Sequence, residues 1–417
     1  MKIISKKPQW LTAITTLCLV AITLFAVVSC NELENESKQY TLHFAGEEID
    51  IEPQLIEYGK HATAPENPER ESYDFGGWFI DNVTFANEWN FETDIVTQDT
   101  TLYAKWEEFE QKILDGYAVT AIAFDSKGNA WIGTQGKGLI RYNTNETVIY
   151  NSENSILPED FWISDIAVDK NDNVWIGADG AWKYDGEEFT LYNSQNTTMP
   201  EDVVWSIAVD SKNNIWFASC RFRQGGLVKY DGTKWTSYTP DNSPLPTNSV
   251  KGIAIDKSDN IWLALSDYVN LSYLVKISND KWNVYDENDL GFTPYYLGGI
   301  QCDSKNRLWG AIDYSLSGTW VSPPPHFFIF DGQQTTLLSC GDDISIRHSK
   351  IMIDSNDYVW CFGSGSVCGV WIDEQWTQLD NSEFGGSSVW VIKEAPNRRI
   401  WFGTTNGIYI RNKQKCL

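Results

Sequence analysis

Ile122-Ala-Phe-Asp-Ser-Lys-Gly-Asn-Ala-Trp131-Ile-Gly and Ile166-Ala-Val-Asp-Lys-Asn-Asp-Asn-Val-Trp175-Ile-Gly are two copies of one phrase. The phrase returns as Ile207 to Trp216, Ile253 to Trp262, Ile300 to Trp309, Ile351 to Trp360 and Ile392 to Trp401. Each copy sets an Ile nine residues before a Trp, and an Asp six before it except in the last, where Ala395 stands instead. Successive Trp are 44, 41, 46, 47, 51 and 41 residues apart. An apolar run, a turn of Asp, Asn and Gly, then a second apolar run read as a β-hairpin. A period of roughly 40–50 residues with room for four short strands predicts a β-propeller, and seven copies predict seven blades.

Working outward, strand a of the first blade is expected over Val119–Phe124, with Val119, Ala121 and Ala123 alternating against Thr120, Ile122 and Phe124. Strand b begins at the Trp. Strand c ends in a turn such as Tyr184-Asp-Gly186, Tyr230-Asp-Gly232 or Phe330-Asp-Gly332, and strand d carries Trp235, Trp282 or Trp376. The seventh unit has only three strands of its own. Phe109–Leu114 is expected to supply the fourth, joining the two ends of the ring and removing an exposed edge.

The whole chain agrees with an all-β reading. Its 417 residues exceed the roughly 250–300 that one hydrophobic core serves. The 20 Trp, 19 Tyr and 19 Phe favour strands. With 42% hydrophobic and 21% charged residues the chain is not disordered. A net charge of −25 with no basic stripe excludes nucleic acid as a partner. The expected architecture is a seven-bladed β-propeller over 107–417 behind a small β-grasp-like domain over 40–106, and the chain is expected to be a monomer.

Lys2, Lys6 and Lys7 precede an uncharged stretch, Leu11 to Ser29, that ends in Val27-Val28-Ser29-Cys30. A run this long could span a bilayer as an anchor helix. The small residue before Cys30 instead resembles the lipobox of bacterial lipoproteins, which implies a signal peptide over 1–29 and lipidation of Cys30. The acidic segment Asn31 to Glu36, within a tether over 30–39, resembles the surface-export signal of Bacteroides-type lipoproteins. The expected location is the cell envelope, on the outer membrane and facing outward.

Residues 40–106 carry Phe75, Gly77 and Trp78, then Trp89-Asn-Phe91, then Asp99-Thr-Thr-Leu-Tyr-Ala-Lys-Trp106. These resemble the internalin-type B-repeat, or Listeria–Bacteroides repeat, and the resemblance implies a β-grasp-like spacer or contact module without catalytic residues. The phrases of 107–417 resemble the two-component-regulator propeller repeat. In that family they build extracellular sensor domains of membrane histidine kinases, often responding to oligosaccharides. No kinase domain or C-terminal membrane helix is read here, so the resemblance implies a stand-alone binding protein.

The candidate chemistry is sparse. Asp169-Lys-Asn171-Asp-Asn173 spaces oxygens like the start of a calcium loop, but the same turn recurs in every blade and the later Glu is missing, so hairpin-turn chemistry is preferred. Gly133-Thr-Gln-Gly136-Lys-Gly138 joins two strands and opens no helix, which excludes a phosphate cradle. The acid pairs Glu159-Asp160 and Glu201-Asp202 recur in equivalent loops and read as solvated. His326 and His348 are the two propeller histidines; a lyase similar to the streptogramin lyases would have to use them. No catalytic residue, metal or cofactor is expected.

The stronger candidate is a binding face on the b–c and d–a connections of blades three to five. It comprises Arg221, Phe222, Arg223, Tyr268, Tyr273, Tyr295, Tyr296, Tyr314 and Trp320. Flat aromatic area beside polar handles suits a glycan, or a surface or envelope protein. A turn at Ser364-Gly365 would set Cys361 opposite Cys368, within disulfide reach.

Overall fold

The computed structural model describes residues 38–70, 73–108, 110–221, 224–267, 271–292, 297–312, 327–339, 350–363 and 368–412. The chain divides into two compact units, the first ending at Phe109 and the second running from Glu110 to Leu417.

In the first unit, β1 (Gln39–Ala45), β2 (Gln54–Glu57), β3 (Tyr73–Phe79) and β4 (Thr100–Glu108) form one sheet in the order β2-β1-β4-β3. The central pair is parallel, with Leu42 opposite Thr100, and both outer strands are antiparallel to it. Gly77, at φ 109°, lies where the β3–β4 register shifts between Phe75 and Trp78. That bulge keeps both rings in the core, where they meet edge-on at 5.3 Å. Leu42, Trp78, Trp89, Val96 and Leu102 fill the interior. Asp99 of the closing motif accepts the Thr41 N–H at 2.8 Å and so fastens the parallel pair.

The second unit contains, among the described residues, seven four-stranded antiparallel sheets. Their innermost strands are Val119–Phe124, Asp165–Val168, Val204–Val209, Val250–Ile255, Leu297–Cys302, Lys350–Ile353 and Val389–Glu394. Each packs against the next, and the last returns to the first, so the ring is closed. The seventh sheet is completed by β5 (Glu110–Ile113), which pairs with Gly407–Arg411 in the register Ile408 to Ile113. This is the expected closure. Buried Arg411 clamps it, with ion pairs to Glu110 at 3.0 Å and to Glu383 at 2.9 Å.

The recurring Asp and Trp now have a physical reason. The indole N–H of Trp131 donates to Asp125 at 3.0 Å, and Trp175, Trp216, Trp262, Trp309 and Trp360 repeat the bond to Asp169, Asp210, Asp256, Asp303 and Asp354 at 2.9–3.3 Å. A buried indole needs an acceptor, and a buried carboxylate needs several donors. Each supplies the other, while the other Asp oxygen takes two turn N–H groups, as Asp169 does from Asn171 and Asn173. The calcium-like spacing therefore builds a filled hydrogen-bond knot.

The same turns stitch blade to blade. Ser126 donates through its N–H and hydroxyl to Asp172 of the next blade, Ser211 to Asp259, Ser304 to Asp357 and Ser355 to Glu394. Lys170 and Lys257 donate their N–H groups to Asn213 and Asn306. Six junctions carry the clasp. At the seventh the corresponding residues are Pro396, which has no N–H, and Gly128, which has no side-chain acceptor, so β5 and Arg411 hold the ring at that end instead.

Close blade contact also explains the Gly after Trp-Ile. A Cβ on Gly133 would meet Ile163 of the next blade at 2.5 Å, and one on Gly403 would meet Val119 at 2.7 Å.

Candidate functional site

Strand a does not keep a strict two-residue alternation. Its register shifts between Val119 and Ala121, Val204 and Ser206, Val250 and Gly252, Leu297 and Ile300, and Val389 and Val391. The bulge residues are Thr120, Trp205, Lys251 and Trp390, with Gly298-Gly299 in blade five. The Val before each bulge (Leu297 in blade five) and the Ile after it both stay buried, which requires the extra residue. The bulges lie at the start of strand a, on the face that carries the b–c hairpins.

They border an axial channel lined by strand a residues of all seven blades, including Thr120, Asp165, Trp205, Lys251, Lys350 and Lys393, with a cavity of about 170 Å3. Trp205 is 45% exposed, and its indole N–H donates to the Cys220 carbonyl at 2.7 Å. The Lys251 ammonium lies 5.4 Å from the Trp205 ring centroid, in cation–π range. Asp165 accepts N–H bonds from Ile166 at 2.9 Å and from Ile207 of the next blade at 2.8 Å. Burial raises its carboxyl above the usual range; Lys350, then the Ile207 bond and Lys393, oppose the rise.

Of the nine expected ligand residues, the structure describes two. Arg221 is exposed at the end of strand b, where it pairs with Gln224 of strand c. Its neighbour Cys220 accepts the Trp205 indole, which puts Arg221 beside the channel-mouth residues. Tyr273 requires a correction. It lies in strand c (Leu271–Ser278), opposite Leu265, half-buried against the core between blades three and four. The extra length in these two blades extends the b–c hairpins: Ile215–Arg221 with Gln224–Tyr230, and Ile261–Asp267 with Leu271–Ser278. The strands grow, and Tyr273 is absorbed into the ladder. Phe222, Arg223, Tyr268, Tyr295, Tyr296, Tyr314, Trp320, His326, His348 and Cys30 lie outside the described residues.

The cysteine pairing is corrected by register. Cys361 faces Gly369, so Cys368 is one position out of line with it. A one-residue offset turns a side chain to the other face of a strand. Cys361 packs with Trp309, Phe327 and Val359, whereas Cys368 packs with Phe362, Val370 and Leu379. Two buried thiols on opposite faces of the sheet cannot bridge.

Sequence reasoning missed Trp205, Lys251 and Asp165. The signal was a pair of buried positions three apart, Val204 and Ile207 or Val250 and Ile253, which period-two alternation cannot satisfy.

Residues 40–105 match the family model of the Listeria-Bacteroides repeat domain, and residues 113–136 and 198–221 match that of the two component regulator propeller. The chain thus carries a Listeria-Bacteroides repeat domain followed by two component regulator propeller repeats. Over 101 residues it is 35% identical to a Gly-rich membrane protein of Evansella cellulosilytica, a match covering 23% of this chain and 10% of that relative. The extracellular domain of the hybrid two component system BT4673 from B. thetaiotaomicron superposes with a TM-score of 0.55 at 16% identity, covering 72% of this chain and 39% of that one. A catalytically inactive virginiamycin B lyase from Staphylococcus aureus, solved with quinupristin, reaches 0.57 at 13% identity, covering 73% and 99%. At these identities the likeness to solved structures establishes the fold, which the extracellular domain of a two component system and a lyase both use. No helix among the described residues is long and apolar enough to cross a membrane.

Proposed function

We propose that this protein is lipid-anchored at Cys30 in the cell envelope, on the outer membrane and facing outward, and that its propeller binds an extracellular glycan without catalysis. The carrying observation is the exposed Trp205 plane beside Lys251 at the channel mouth, an aromatic surface flanked by charged handles. The extracellular domain of a two component system among the structural neighbours supports a ligand-binding role. The first unit serves as a spacer.

A glycan array probed with the full chain tests this reading. Binding to a defined glycan class is expected, lost in Trp205→Ala and weakened in the Tyr296→Ala/Trp320→Ala double variant, both melting like the parent. No binding to any glycan would overturn the ligand class. A protein partner is the second reading, favoured by the 51% exposed Trp162 in the blade-two entry loop. It predicts loss of the partner on Trp162→Ala, with glycans inert.

A further inference from the structure

Ala395 stands where six blades have an Asp, yet the rest of the seventh turn keeps its shape. The Ala395 N–H donates to the Arg399 carbonyl and the Arg398 N–H to the Ala395 carbonyl, both at 2.8 Å, the two bonds that Asp169 shares with Asn173 and Asp172 in blade two. Arg398 takes φ 63°, beside 61° at Asp172 and 65° at Asn213. The Trp401 ring lies 5.9 Å from that of Tyr142 in the next blade, as Trp131 lies 5.6 Å from Tyr184 and Trp175 5.6 Å from Tyr230. The indole is in its usual place, and only the carboxylate is gone.

Two donors are left without it. The Trp401 indole N–H is buried and has no acceptor among the described residues. The Arg399 N–H, whose six counterparts donate to the Asp at 2.8–3.1 Å, reaches instead to Asn397 Oδ1 at 3.3 Å. An orphaned buried donor is rare and costly. A surface cleft of about 390 Å3 reaches this position, for Ala395 lines it together with Phe124, Pro396, Lys393, Glu394 and Arg398. The Glu394 carboxylate is held by the Ser355 N–H and hydroxyl at 2.6 and 2.7 Å.

We propose that the seventh turn binds the carboxylate of a small organic acid, which takes the place of the missing Asp and accepts from the Trp401 indole and the Arg399 N–H. In the six other blades the same pair of donors is satisfied by a carboxylate, and bonds to an ionised acceptor are the stronger kind. The cleft falls in the size range of small-molecule sites, and Phe124 and Pro396 give it an apolar wall. It lies at the opposite end of strand a from the bulges and shares no residue with the glycan reading.

Proton–nitrogen correlation spectra of the full chain, labelled at its tryptophans, test this, with Trp401→Phe assigning the indole signal. Acetate and benzoate are expected to move that signal saturably, while acetamide and sodium chloride at equal ionic strength leave it in place. Tighter binding of benzoate identifies an acid whose body rests on Phe124 and Pro396; acetate binding as tightly identifies a very small one. Ala395→Asp fills the position from within. Its Trp401 signal should start near the acetate-saturated position of the parent and respond to either acid at least about tenfold more weakly, the worth of one charge-assisted bond. Silence from both acids, an equal response to acetamide or chloride, or an undiminished response in Ala395→Asp would each overturn the proposal. A glycan array without binding would bear only on the glycan reading.

Discussion

Trp401 and Ala395 stand in the same relationship as the Trp and Asp of the other six blades, with the carboxylate missing. The Trp401 indole N–H is buried and has no acceptor among the described residues. The other six indoles are answered by an Asp six residues earlier. Blade seven thus carries an unpaid donor at the point where the ring closes.

Supplying the acceptor should stabilise the protein. Blade five gives the precedent: Arg307 Nε donates to Asp303 at 2.7 Å, and Arg399 occupies the matching position in blade seven. Ala395→Asp is expected to raise stability by about 1–2 kcal/mol, the net worth of a hydrogen bond to a charged group after some burial cost. Trp401→Phe should cost less than Trp309→Phe by a similar amount, because Trp309→Phe strands Asp303. Denaturant melts of the three variants measure this.

Closure depends on Arg411. Arg411 is 3% exposed, and its guanidinium reaches Glu110 and Glu383 and lies 4.9 Å from the Phe384 ring centroid. Arg411→Ala leaves two carboxylates facing a gap. Because each is about a third exposed, water recovers part of the loss, and the cost should be about 2–3 kcal/mol, below that of a fully buried pair. Amide exchange in Glu110–Ile113 should accelerate with it, well before exchange in blades two to four.

Acid should weaken the knots. Burial pushes the Asp210 carboxyl up, but the bonds from Asn214 and Trp216 outweigh it and hold the group below the usual carboxylate range; Asp303 is lowered in the same way by Trp309 and Arg307. A folded value below the unfolded one means the unfolded chain binds more protons in that interval. The contribution is complete above about pH 4 and is lost as pH falls through the folded value. Thermal melts from neutral pH downward should therefore decline in that window, and Asp210→Asn should flatten the decline.

The fold was legible because its determinants are local and repeated. Ile, Asp and Trp at fixed spacing encode a hairpin and its buried knot within about ten residues, and the three-strand seventh unit announced that Phe109–Leu114 must close it. Register was harder. Cys361 and Cys368 looked opposed from turn length alone, yet the ladder sets Cys361 against Gly369, and one residue decides the face. Tyr273 looked like loop from blade length, but extra residues had lengthened the hairpin around it. The channel group was least legible, since Thr120, Asp165, Lys251, Lys350 and Lys393 come from five blades and meet only when the ring closes.

The central claim is that ligand enters on the bulged, b–c face of the propeller. Hydrogen exchange of the full chain with and without an array-identified glycan tests it directly. The account predicts protection at the strand starts around Val204–Ser206 and Val250–Gly252. Protection confined to the Asp turns, such as Asp125–Asn129 and Asp210–Asn214, with these strand starts unchanged, would contradict it.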